Sequence, residues 1–176
     1  MTTTISIPTI ETERLRLRSP KPSDLDAYIA YRASARSRFV GGPNTADEAF
    51  SMLCSIVGQW QLRGYGRWMV AQKDTDDPLG VVGIYHPLEW PEPEIGWTVF
   101  EHAEGKGVAY EAALATRDFA YRTLGWKTIV SLVADENQRS VALARRMGCK
   151  RENVFQHSEF GDLPVWRHPG AEEGRP

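Results

Sequence analysis

Two glycines bracketing a lysine, Glu104-Gly105-Lys106-Gly107-Val108-Ala109, stand between a stretch of strand character and one of helix character. That order has a chemical consequence. A glycine loop that opens a helix leaves several backbone N–H groups without partners and pointing outward. With the helix dipole they form an anion site suited to phosphate or pyrophosphate. Glycine matters there because a side chain would hold the ligand away from the backbone. The dinucleotide pattern G-x-G-x-x-G fails, since Tyr110 occupies the third glycine position. The Walker pattern fails too, because Lys106 lies between the glycines and no Gly-Lys followed by Ser or Thr is present. Taken alone, the pair would read as a plain strand-to-helix turn, so the surrounding elements must decide.

Those elements are periodic. Residues 94–100 are rich in β-branched and aromatic types and predict a strand. Residues 109–124 place Ala109, Ala112, Ala113, Thr116, Phe119, Ala120 and Leu124 on one helical face, with Gly125 as the stop. Upstream, residues 12–18 alternate apolar and charged, as a half-buried strand does. Ser23 or Asp24 is placed to cap a helix to about Ala33. Thr45 and Glu48 form a capping box for a helix to about Leu62, with Phe50, Leu53, Val57 and Trp60 as its inner row. Residues 66–73 and 79–86 predict a hairpin about an acidic turn, and residues 127–133 a buried strand. A helix starting within residues 135–140 turns Val141, Ala144 and Met147 inward and stops at Gly148. Residues 150–160 and 162–168 predict a closing hairpin around Gly161.

At 176 residues the chain predicts one domain, residues 1–168, followed by a polar tail at 169–176. Hydrophobic residues at 41% supply a core, and a net charge of -2 without a basic run gives no electrostatic reason to expect nucleic acid. No signal pattern or membrane-length apolar run is evident. Cys54 and Cys149 lack metal spacing and imply no disulfide framework, so a cytoplasmic location is expected. The four histidines are scattered, and no metal is expected.

The loop, written Glu104-x-x-Gly107-x-Ala109, resembles the pyrophosphate loop of the GNAT superfamily of acyl-CoA-dependent N-acyltransferases. Glu94-Ile95-Gly96-Trp97 ahead of it resembles the ribosomal-protein N-terminal acetyltransferase (RimJ/RimL-like) branch. Two further phrases agree in order: the Arg38 to Thr45 link carrying Gly41-Gly42-Pro43, and Asn137-x-x-Ser140 followed by Met147-Gly148-Cys149. The family usually has Phe where Cys149 stands. The resemblance covers roughly residues 10–168. It implies an α+β GNAT fold: a mostly antiparallel mixed sheet, splayed at the cofactor site and flanked by about four helices. It also implies acetyl transfer from acetyl-CoA to a primary amine, either a protein N-terminus or a small molecule.

Site residues follow by matching. The backbone of Trp97, Thr98 and Val99 would pair with the pantetheine arm. The main-chain N–H groups of Gly105, Lys106, Gly107, Val108 and Ala109 would cradle the pyrophosphate, with Asn137 and Ser140 as further cofactor contacts. Glu94 is the candidate general base, direct or through water. Ala144 stands where many members carry a Tyr acid, which leaves Ser140 as the nearest matched hydroxyl. Glu104 replaces the usual Gln or Arg and is expected to turn to solvent. A protein acceptor predicts an open groove, a small amine a closed acidic pocket. Tyr85, Trp90 and Phe39 are candidates for its wall, and His86 and His157 for its border. A homodimer is possible through the last strands, which carry Phe155, Phe160 and Trp166. The alternative reading is an acyl-CoA-binding protein of the same fold without turnover.

Overall fold

The computed structural model describes residues 6–172; residues 1–5, and residues 173–176 of the expected polar tail, lie outside it. Eight strands form one sheet: β1 (Ile10–Glu11), β2 (Leu15–Arg18), β3 (Arg67–Gln72), β4 (Pro78–Tyr85), β5 (Glu94–Val99), β6 (Val130–Leu132), β7 (Lys150–His157) and β8 (Gly161–Arg167). Their spatial order is β1-β2-β3-β4-β5-β6-β8-β7. Every neighbouring pair is antiparallel except β5 and β6, which are parallel and share a single registered pair, Glu94 with Val130. Beyond that pair the strands part, and the sheet opens. Among the described residues four α-helices flank it: α1 (Leu25–Ala33), α2 (Ala46–Arg63), α3 (Val108–Asp118) and α4 (Gln138–Arg146).

The strand period of two divides the core. On β3, Trp68 and Val70 face α3, while Met69 faces α1 and α2. The larger cluster joins β2, β4 and β5 to Ala112, Ala113, Val141 and Met147. The smaller gathers Tyr28, Tyr31, Leu53, Ile56, Val81 and Phe100.

Several sequence expectations are revised. The strand expected over 12–18 is broken, because the Thr12 N–H donates to the Leu15 carbonyl and the Leu15 N–H donates to the Thr12 hydroxyl, which closes a turn. Asp24 makes no cap bond to α1; it is fully buried, accepts two hydrogen bonds from the Arg18 guanidinium at 2.7 and 2.9 Å, and accepts a third from the Lys21 N–H at the turn just before the helix. Thr45 and Glu48 do form the capping box, but the inner row of α2 is Ala49, Leu53, Ile56 and Trp60. Phe50 is 53% exposed. The helix expected to reach Leu124 changes pitch after α3, through one π-helical turn at Phe119–Thr123. β6 is only three residues long, because its partner strand leaves it.

Candidate active site

The opening between β5 and β6 is stitched at its root by two side chains. The Ser131 hydroxyl donates to the Ile95 carbonyl at 2.7 Å, and the Glu94 carboxylate accepts from the Leu132 N–H at 2.8 Å. These bonds satisfy backbone groups that a continuing ladder would have used. Neither was legible in the sequence. His168 lies at 3.0 Å from the same serine oxygen; burial pushes its pKa down to about 3, so the imidazole is a neutral donor.

Glu94 is buried. One carboxylate oxygen accepts from Trp90 Nε1 at 2.9 Å, the other from Leu132. Burial raises its pKa from 4.5 to about 7, against the pull of those two bonds and of the Arg67 charge. Each oxygen keeps a free lone-pair direction. A carboxylate with this pKa exchanges protons near neutrality, as a general base must.

On the other side of the opening lies the glycine loop. Gly105 and Gly107 have φ of +74° and +78°, values that favour glycine. Among the described residues, none accepts a hydrogen bond from the N–H groups of Gly105, Gly107, Val108 or Ala109. A Cβ at Gly105 would meet nothing within 4 Å, so the loop's outer face is open. The loop is braced from behind. Arg14 donates to the Lys106 carbonyl at 2.9 Å and to Glu111 of α3 at 2.7 Å. A pyrophosphate fits this arrangement: open N–H groups at a helix start, with basic side chains around them.

Glu104 does not turn to solvent. Its Oε2 accepts from Arg36 at 2.6 Å and Arg139 at 2.8 Å, and its side chain is 23% exposed. Burial opposes ionisation, but the two arginines outweigh it and hold the carboxyl below its usual range. Glu104 therefore fixes two guanidinium groups over the groove, and the loop region stays cationic despite the carboxylate.

Asn137 caps α4: its Oδ1 accepts from Ser140 N at 3.3 Å. The Ser140 hydroxyl accepts from Trp97 Nε1 at 3.1 Å, which leaves its own proton free to point elsewhere. Ala144 is fully buried in the core. The groove over the loop encloses about 590 Å³, and a cavity of about 190 Å³ lies against Glu94. Tyr31, Phe39, Trp97, Thr98, Asn137 and Ser140 line both, so the two are one continuous cleft. Of the expected site residues, Lys106 is not among those that line it.

A cleft of this form, with a phosphate-type loop at one end and a titrating carboxylate at the other, has close parallels. The family model described as acetyltransferase (GNAT) domain matches residues 14–150. The chain belongs to the GNAT acetyltransferase family. It is an acyltransferase, and acetyl-CoA is the acetyl donor of its family. The uncharacterised N-acetyltransferase YoaA of Bacillus subtilis (strain 168) is 27% identical over 154 residues, covering 85% of this chain and 86% of that one. The crystal structure of an acetyltransferase from Agrobacterium tumefaciens str. C58 superposes with a TM-score of 0.85 at 38% identity, covering 96% and 98% of the two chains. A RimL ribosomal-protein α-N-acetyltransferase in complex with coenzyme A shares the fold at 19% identity and a TM-score of 0.71, covering 92% and 97%.

The Glu94 end of the cleft matches the expected wall only in part. Tyr85, Trp90 and Phe39 do line the cavity, whereas His86 and His157 do not. His157 instead packs behind Trp90 at 5.0 Å between ring centroids and binds Glu89. The cavity carries Arg32 and Arg67 against the one carboxylate of Glu94, so it is basic rather than acidic. Sequence reasoning missed both arginines, because each lies on an element whose periodicity marks it only as a polar position. Trp166 is buried against β6 and β7.

Proposed function

We propose that this chain acetylates a primary amine, with direct attack of the amine on the thioester of acetyl-CoA and Glu94 as the base. The observation that carries this reading is the continuous cleft from the glycine loop to the Glu94 carboxylate. The N–H groups of Gly105, Lys106, Gly107, Val108 and Ala109 would hold the pyrophosphate, with Arg36 and Arg139 supplying charge above it. The diverging backbone at Trp97, Thr98 and Val99 would hydrogen-bond the pantetheine amides, as a strand bonds a neighbour.

Three tasks then fall to the chain's residues. Glu94 takes one proton from the acceptor ammonium, directly or through water, and frees the nitrogen lone pair. The cleft holds the amine against the acyl carbon, and much of the rate comes from this positioning. The C–N bond forms, the C–S bond breaks, and the nitrogen gives up its second proton, which passes through water or the Ser140 hydroxyl to the departing thiolate, so that Ser140 ends the step protonated. Asn137 contributes by fixing the start of α4 and so the position of Ser140.

The Glu94-Ile95-Gly96-Trp97 phrase and the Gly41-Gly42-Pro43 link support a place in the RimJ/RimL-like branch. The acceptor is then a protein N-terminus or a small amine. The reading takes residues 1–168 as one catalytic domain, and it includes a homodimer formed along β7, the long exposed strand at the sheet edge. Gel filtration with light scattering tests the dimer. The activity is tested by following free-thiol release from acetyl-CoA over amines and N-terminal peptides. Release that depends on amine and is lost in Glu94→Gln is expected. Binding of acetyl-CoA with no turnover of any amine would support instead a protein that binds acyl-CoA without reaction.

A further inference from the structure

The guanidinium of Arg67, at the start of β3, lies over the Tyr85 ring with 4.3 Å to its centroid, and both residues line the cavity beside Glu94. Among the described residues, its side chain has no hydrogen-bond or ion-pair partner, and its Nε is buried and unbonded. Arg32, 5% exposed on α1, lines the same cavity; it donates to Asn44 Oδ1, yet its Nε is also buried and unbonded. Elsewhere the buried arginine of the fold is treated differently: Arg18 is paired to Asp24 through two hydrogen bonds.

Unmade guanidinium bonds away from water are costly: Arg32 is buried, and Arg67 is half-buried with its Nε unbonded and with Glu94 acting on it through charge rather than by contact. The cavity therefore holds two fixed cations and one carboxylate. An amine acceptor arrives as a cation, and a simple ammonium would be repelled unless it brought negative charge of its own. The guanidinium fork matches a carboxylate in two parallel hydrogen bonds. The remaining wall is aromatic, from Tyr31, Phe39, Trp90 and Phe160, and suits an apolar body. The volume of about 190 Å³ is below the roughly 300–1,000 Å³ of sites that enclose drug-sized ligands.

Resting on the acetyl-transfer reading above, we infer that the acceptor is a small amine carrying a carboxylate and an apolar side chain, of the amino-acid class, and that Arg67 binds the carboxylate. The reaction is the same transfer, with the N–C bond formed at the amino group and one proton released for each acetyl group moved. Arg67 acts here as a specificity-determining residue that places the amine before Glu94.

The test is thiol release at saturating acetyl-CoA over the standard amino acids, each beside its amide, with phenethylamine as the decarboxylated analogue of phenylalanine and an N-terminal tetrapeptide as the protein surrogate. At least one apolar amino acid is expected to exceed its amide about tenfold in kcat/KM, although the amide has the less basic amine and so more neutral nucleophile at pH 7. Arg67→Gln should raise KM for the acid about tenfold, change kcat little and erase the preference over the amide; Arg67→Lys should restore part of it. Calorimetry should give the same acetyl-CoA affinity for all three proteins, which also shows that the variants fold. Equal rates for acids and amides overturn the inference, as do a faster tetrapeptide, a preference that survives Arg67→Gln, or turnover of no acid by protein that binds acetyl-CoA. Failure to bind acetyl-CoA would strike the acetyl-transfer reading instead.

Discussion

Replacing Glu94 by Gln tests the central chemical claim, and the structure sets the size of the effect. Burial raises the Glu94 pKa to about 7. About one tenth of the side chain is then ionised at pH 6 and about nine tenths at pH 8, if only the ionised form serves as base. The acceptor amine also titrates, and its ionisation affects native and variant enzyme alike. The informative quantity is the ratio of kcat/KM between the two, in which the amine cancels. That ratio should reach about a hundred or more on its plateau, the usual contribution of a general base, and fall about tenfold between pH 8 and pH 6. Thiol release in a constant-ionic-strength buffer series measures it. The same shift has a stability consequence. A carboxyl whose folded pKa is raised adds stability that is fully present below 4.5 and is lost as pH rises to about 7, a decline of about 3 kcal/mol that the Gln variant should lack. Urea unfolding at pH 5 and pH 8 reads it. A ratio independent of pH, with acetyl-CoA affinity intact, would refute Glu94 as the base and leave it as the stitch that holds β6.

Three further outcomes are expected. Gly107→Val forces a β-branched residue to φ near +78° and brings a Cβ within 3.3 Å of Arg14 Nη2, so acetyl-CoA affinity by calorimetry should fall at least tenfold; native affinity in a folded variant would mean the loop is only a turn. Asp24→Ala leaves the Arg18 guanidinium, 5% exposed, with only the partly exposed Asp76 as counterion, and should cost about 3–5 kcal/mol in urea unfolding, whereas a loss under 1 kcal/mol would contradict the buried pair. Ellman's reagent should titrate one thiol quickly in the native protein and two after denaturation, because Cys54 is exposed while burial pushes the Cys149 thiol up to about 11; fast reaction of both would show that Cys149 is not held in the larger core cluster.

Much of this protein is local in origin and therefore legible in its sequence. The glycines at 105 and 107, the Thr45–Glu48 box, the Asn137 cap and the glycine stops act within a few residues of themselves, so their spacing carries their meaning. Strand and helix periods placed most elements, and family motifs placed the opening beside Glu94. Errors arose where a distant partner outweighed a local preference. Asp24 has the type and position of a cap, but Arg18 claims its carboxylate in the interior. Phe50 has the type of a core residue, but the packing face of α2 passes through Ala49 instead. Glu104 resembles a misplaced charge until Arg36 and Arg139 converge on it from elements 68 and 35 residues away.

The chemistry of the cleft is likewise a tertiary property. The sequence alone determines that a glutamate opens β5; only the fold brings Trp90 and the Leu132 N–H to its oxygens and removes water, and desolvation is what moves its pKa toward neutrality. Arg67 and Arg32 lie 35 residues apart on a strand and a helix, and nothing in their local patterns links them. They share one cavity because α1 packs its Tyr28 and Tyr31 with Met69 of β3 and Val81 of β4, which brings Arg32 to the wall that Arg67 reaches from β3, and the charge of a cavity is a sum over elements that only folding assembles.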